Sequence, residues 1–151
     1  MKETVPAVEI AVAGVTLPPW RSRLSRFCRA VTAAAGFDGC ELSLLLCGDE
    51  RIAELNARFR GKNRPTDVLS FPREEQGNDT RVTGDIAISL PALGRNARKF
   101  GVSENEELKR LVVHGILHLA GMDHGRGKGR SMLSLQEDLL ERLGAERIIG
   151  E

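Results

Sequence analysis

The chain has 151 residues, 41% of them hydrophobic and 28% charged, with no low-complexity tract; that is about one domain's worth of core and excludes a disordered or fibrous protein. Its formal net charge of +1 announces no nucleic-acid partner through bulk electrostatics. Cys28, Cys40 and Cys47 form neither an even framework nor a C-x-x-C pair, which excludes a disulfide scaffold and fits a reducing, cytoplasmic setting, and no stretch reaches the roughly 18 apolar residues of a membrane span.

Val8 to Val12 reads as a short strand. Pro18-Pro19 then opens a helix in which Trp20, Leu24, Phe27 and Val31 recur at helical spacing until Gly36. Off that face Arg23, Arg26 and Arg29 form a basic stripe, read as a solvated face ahead of an RNA-contacting one. Glu41 to Cys47 is an apolar run short enough for a buried strand, and Asp49 is positioned to cap a helix with Ile52, Leu55 and Phe59 on one face. Gly61 ends that helix after Arg58 and Arg60, and Lys62 and Arg64 extend the basic run. A third strand, Val68 to Phe71, stops at Pro72; a polar loop over 73–80 follows, then a fourth strand from Val82 to Ser89. Gly84 inside that strand reads as permission for a close backbone approach.

Pro91 to Phe100 continues as a helix, so the order to this point is βαβαββα. Ser103 with Glu106 makes a capping box, and Glu104, Glu106 and Glu107 favour the positive end of the helix that follows. That helix carries Leu108, Leu111, Val112, Val113, Ile116 and Leu117, apolar nearly all round, and Gly121 is its stop. A glycine-rich loop from Met122 to Arg130 precedes a last helix with Met132, Leu135, Leu139, Leu140 and Leu143.

All three histidines fall in and just after the apolar helix. His114 and His118, at i and i+4, share one helical face, and Gly121 lets the chain turn back to bring His124. Two imidazoles inside a leucine-rich helix need partners, and a divalent ion, zinc first, satisfies them. With three protein ligands in view and no cysteine nearby, the fourth position falls to water, which marks a catalytic site. Asp123 could orient an imidazole, or it is a turn residue. The spacing H-x3-H-x2-G-x2-H also occurs in metzincin peptidases, but those carry glutamate directly after the first histidine as general base, and here Gly115 stands there.

The stretch H114-G-I-L-H-L-A-G-M-D-H124 resembles the signature H-G-x-L-H-L-x-G-x-D-H of the YbeY family of bacterial endoribonucleases. L55-N-A-R-F-R-G-K-N-R-P-T-D-V-L-S-F-P72 and G84-D-I-A-I-S89 resemble its other two motifs. The resemblance implies a single α+β domain over residues 1–151, with a small, mostly parallel four-stranded sheet packed by about five helices and the metal-site helix buried centrally. It implies one Zn2+ held by His114, His118 and His124, with Arg60 and His114 as catalytic residues. It further implies single-strand-specific cleavage of RNA in small-subunit (16S) ribosomal RNA maturation and ribosome quality control, with the ribosome or its assembly factors as partners. Thr66, Asp67 and Ser70 are expected either to lock the backbone or to line the cleft, with locking favoured. The chain departs from the family at Gly125-Arg126-Gly127-Lys128-Gly129-Arg130, where acidic residues are usual.

Cleavage of a phosphodiester agrees with these residues, because its transition state gathers charge that a zinc ion and a guanidinium neutralise. Two other readings compete: a zinc-containing ribosome-assembly factor that binds RNA without cutting it, and a metal-dependent hydrolase of another substrate. The few aromatic residues and the absence of tyrosine argue against a base-stacking platform and for weak sequence preference.

Overall fold

Four strands form one sheet in the order β1-β2-β4-β3, in a computed structural model that describes residues 8–73, 81–122 and 131–150. β1 (Val8–Ala13), β2 (Cys40–Cys47) and β4 (Val82–Ser89) run parallel, and β3 (Val68–Pro72) pairs antiparallel with β4 at the edge. Parallel neighbours need crossover connections, and α1 (Arg21–Ala34) provides the one from β1 to β2. The remaining helices are α2 (Asp49–Arg60), α3 (Leu90–Phe100), α4 (Glu104–Leu119) and α5 (Met132–Arg142). The fold is therefore mixed α+β with a mostly parallel sheet, as the element order implies.

Side-chain alternation assigns the two faces of the sheet. Leu42, Leu44 and Leu46 of β2 and Ile86 and Ile88 of β4 point into the main core with Leu24, Phe27 and Val31 of α1 and most of α4. On the other face Leu69, Ala87 and Cys47 join Ile52 of α2 in a smaller cluster. Cys28, Cys40 and Cys47 are all buried free thiols; burial pushes the Cys28 thiol up, and that of Cys47 up to about 11, so they serve as packing groups.

α4 lies at the centre, touching α1, α3, α5, β3 and β4. Ser103 caps it, its hydroxyl accepting from the Glu106 N–H at 3.0 Å. At its other end Gly121, at φ 90°, turns the chain so that the N–H groups of Gly121 and Met122 reach the carbonyls of His118 and Leu117. Three polar residues of α4 are buried, each for a partner. Lys109 is fully buried and donates from Nζ to the carbonyls of Leu143 and Glu146, both at 2.8 Å. Asn105 Oδ1 accepts from the N–H groups of Ile148 and Ile149, also at 2.8 Å. Glu107 accepts two hydrogen bonds from Arg110 and one from Asn96. Residues 143–149 are thus strapped across the start of the helix that carries the histidines.

Two local expectations change or sharpen. Asp49 is the first residue of α2, not its cap: Gly48 holds the cap position with no side-chain bond. The Asp49 carboxylate instead accepts from Ser89 at 2.8 Å and from Arg95 at 2.8 and 3.1 Å, and Arg95 holds its carboxyl below the usual carboxylate range. It ties the starts of α2 and α3 together. Gly84, at φ 149°, lies under α4: a Cβ there would sit 2.7 Å from Leu119 Cδ2 and 2.9 Å from the Phe71 carbonyl, the close approach its sequence position implied.

Candidate functional site

His114 and His118 stand one turn apart on α4, half-buried, with ring centroids 4.6 Å apart at 73°. Their shared face follows from the i, i+4 spacing in a helix. His114 Nδ1 lies 3.0 Å from Oε1 of Gln136 on α5, a residue only 5% exposed. An amide oxygen can only accept, so Nδ1 carries a proton, and in the neutral ring Nε2 is then the lone-pair nitrogen. That is how a metal-ligating imidazole is ordinarily fixed in tautomer and orientation. Sequence reading missed Gln136. Its signal is faint: an amide four residues after Met132 and three before Leu139, on the buried face of α5.

His124 and Asp123 lie outside the described residues. Among the described residues no group of three metal-ligating side chains assembles; of the three histidines, His114 and His118 are the two that the structure describes. The donor set, two imidazoles with one already oriented, suits zinc.

Behind the histidines the helix rests directly on the sheet at Gly115. A Cβ at that position would meet Ile86 at 3.1 and 3.3 Å and Ser70 Oγ at 3.3 Å. Ser70 donates its hydroxyl to the Gly115 carbonyl at 3.1 Å, pinning β3 to the helix between the two imidazoles. Asp67 accepts from Asn96 at 3.0 Å and lies 4.0 Å from Arg110, one turn before His114 on the same helix. Asn96 also donates to Glu107. The segment before β3 is thereby fastened to α3 and α4 through side chains, and Thr66 is half-buried in it.

Arg60, exposed at the end of α2, lines a groove of about 1200 Å³ on the sheet face opposite α4; neither His114 nor His118 lines it. α2, which carries Arg60, packs on the sheet face opposite the one that α4 covers. Arg58, Lys62 and Arg64 are exposed as well, so every cation of the basic run reaches solvent. On α1, Arg26 and Arg29 are exposed and Arg23 half-buried.

Gln136→Leu is expected to weaken zinc binding by about ten- to a hundredfold while the fold survives, because leucine fills the same space but accepts no hydrogen bond from His114. Gln136→Glu, which keeps the acceptor, should retain most of the affinity. Competition against a chromogenic chelator measures both; equal affinity in Gln136→Leu and the parent would reduce Gln136 to a packing residue.

Comparison with known proteins bears on the whole arrangement. The family model described as Endoribonuclease YbeY matches residues 13–144. A protein of Treponema pallidum described as Endoribonuclease YbeY is 40% identical over 139 residues, spanning 88% of this chain and 87% of its own. One from Treponema denticola with the same description is 45% identical over 124 residues, spanning 78% and 80%. A solution structure of a Thermotoga maritima protein superposes with a TM-score of 0.59 at 32% identity, covering 91% of this chain and 90% of that one. The family match begins at the last residue of β1 and takes in every later strand, the basic run and all three histidines, and by it this chain belongs to the endoribonuclease YbeY family.

Proposed function

We propose that the chain is a zinc-dependent endoribonuclease that cuts single-stranded RNA, and that its substrate in the cell is small-subunit (16S) ribosomal RNA on the ribosome or with its assembly factors. The observation that carries the reading is the His114–His118 pair, with His114 oriented by the buried Gln136, in a chain of the endoribonuclease YbeY family. His114, His118 and His124 would hold the ion. A bound zinc supplies Lewis acidity at the phosphoryl oxygen and a water acidified toward neutrality.

The chain's own residues do the rest. Gln136 keeps the Nδ1 proton of His114 in place, so Nε2 is presented with its lone pair outward. Ser70 and the Asp67–Asn96–Glu107 bonds hold the helix face against β3, which limits wandering of the imidazoles during turnover. Arg60 binds RNA phosphate through its planar fork, a geometry lysine cannot supply. The glutamate base of a zinc peptidase is absent from position 115, and a residue there would face the sheet, so peptide hydrolysis lacks its proton carrier. No helix among the described residues is long and apolar enough to cross a membrane.

The test offers the protein an unstructured RNA, its annealed duplex and an unfolded peptide, each with and without chelator. Expected is chelator-sensitive cutting of the single strand, weak cutting of the duplex and none of the peptide, with activity at subsaturating RNA falling steeply as salt rises. Tight RNA binding without cleavage would assign a binding factor instead, and cleavage of the peptide alone would overturn the reading.

A further inference from the structure

Among the described residues, the second face of the sheet carries α2 and, beside it, an open groove. α2 packs on it through Ile52 and Leu55, and beyond the helix's last turn the groove opens over Leu45 and Ala87. Phe59 stands on its wall and is 59% exposed, more than any other large hydrophobic side chain among the described residues. Its ring lies 5.2 Å from that of Phe71 at 60°, and the Arg58 guanidinium stands 5.6 Å from its centroid. Among the described residues, Phe71 and Arg58 leave most of this ring uncovered, at a helix end inside a run of exposed cations.

We propose that this groove takes one unpaired nucleotide of the RNA, its base against Phe59 and its phosphate on Arg60, on the sheet face opposite the histidines. The proposal rests on the reading of the chain as an RNA-cleaving enzyme and adds a subsite to it. A base offers a flat face to an exposed phenyl ring, and every base has one, so the contact tolerates sequence. The groove's volume of about 1200 Å³ exceeds the ~300–1,000 Å³ of small-molecule sites, which fits a segment of a polymer entering and leaving. Arg60 lines the groove, Arg58 stands by Phe59, and the exposed Lys62 and Arg64 follow them closely in the chain, a run of cations that complements a polyanion. Glu9 and Asp85 also line the groove and are exposed; carboxylates accept from the exocyclic amines of adenine, cytosine and guanine, whereas unpaired uracil offers only its ring N3–H. In a duplex the bases are stacked and paired and present no free face, so the subsite itself selects single strands. Because Phe59 stands on α2, which packs on the sheet face opposite the one that α4 covers, it acts on how much RNA is held and leaves the bond-breaking step alone.

The experiment follows cleavage of oligoadenylate and oligouridylate against RNA concentration for the zinc-loaded parent, Phe59→Ala and Phe59→Tyr. In parallel, Phe59→Trp in a Trp20→Phe background places a single indole in the groove and reports base contact through its fluorescence, read at mixing and independent of cleavage. Expected for Phe59→Ala is a half-saturating RNA concentration raised at least about fivefold with the saturated rate within about twofold, restored by Phe59→Tyr. Oligoadenylate should quench the groove indole at lower concentration than oligouridylate. Unchanged half-saturation in Phe59→Ala, or an indole signal indifferent to RNA, would overturn the proposal; so would Phe59→Ala abolishing self-association with RNA saturation unaltered, since the groove would then hold a second copy. If no variant cuts RNA while the indole is still quenched, the nuclease reading falls and the nucleotide subsite stands.

Discussion

Chains carrying His118→Ala are expected to purify without zinc and to cut single-stranded RNA at least about a thousandfold more slowly than the parent, and His114→Ala should behave alike. One donor to a developing oxyanion is worth about 10²–10³ in rate, and removal of the ion takes away both charge stabilisation and the acidified water. Thermal stability should fall with the metal, because an ion that binds only the folded chain stabilises it by mass action. Parent protein should contain one zinc per chain, with nitrogen and oxygen neighbours and no sulfur in X-ray absorption, since all three thiols are buried and their pKa values pushed up. Arg60→Ala separates the two kinds of contribution: zinc content and stability should stay near the parent while kcat/KM drops at least about tenfold. A zinc-replete, fully active His118→Ala chain would remove the histidines from the site.

Much of this arrangement is written in residue spacing. The i, i+4 histidines, the Ser103 cap and Gly121 fix where α4 begins, which face carries imidazole and where the chain turns, because helical geometry converts those spacings directly into positions. The described strands and helices follow from periodicity and turn residues in the same way. Strand order does not: β2 pairs with β4 and not with β3, a choice made by long-range packing that no local pattern encodes. Nor does the placement of Arg60 relative to the histidines, since both lie in motifs that read as one site along the chain while their helices, α2 and α4, pack on opposite faces of the sheet. Whether an outward-looking polar residue is truly outside is equally hidden. Glu107 reads as a charge favourable to the helix dipole, and it is; its burial at 2% exposure depends on Arg110 and Asn96 arriving from one turn on and from α3. Lys109 and Gln136 look like surface residues of amphipathic helices until the carbonyls of 143 and 146 and the imidazole of His114 close on them.

Gly115 gives the sharpest case of a residue whose meaning changes with the structure. In sequence it is the place where a zinc peptidase keeps its glutamate, so along the chain Gly115→Glu reads as a conversion of the site. In the fold the position faces the sheet, with Ile86 and Ser70 already 3.1 to 3.3 Å from where a Cβ would stand. Gly115→Ala sets two effects of similar size against each other: the helix gains about 1 kcal/mol from losing a glycine, and the squeeze on Ile86 costs about 1–3 kcal/mol. The expected result is a chain up to about 2 kcal/mol less stable, melting within about 8 °C of the parent. Gly115→Glu adds a carboxylate buried between helix and sheet with no cation to meet it, and either the charge is neutralised or α4 lifts from β3. A loss of at least about 4 kcal/mol is expected, with a melting point lower by roughly 10 °C or more and weakened zinc binding as the two imidazoles shift, and with no peptidase activity gained. Thermal melts, chelator competition and digestion of an unfolded peptide check the three parts. A Gly115→Glu chain as stable as the parent that hydrolyses peptide would show that position 115 looks toward the imidazoles after all.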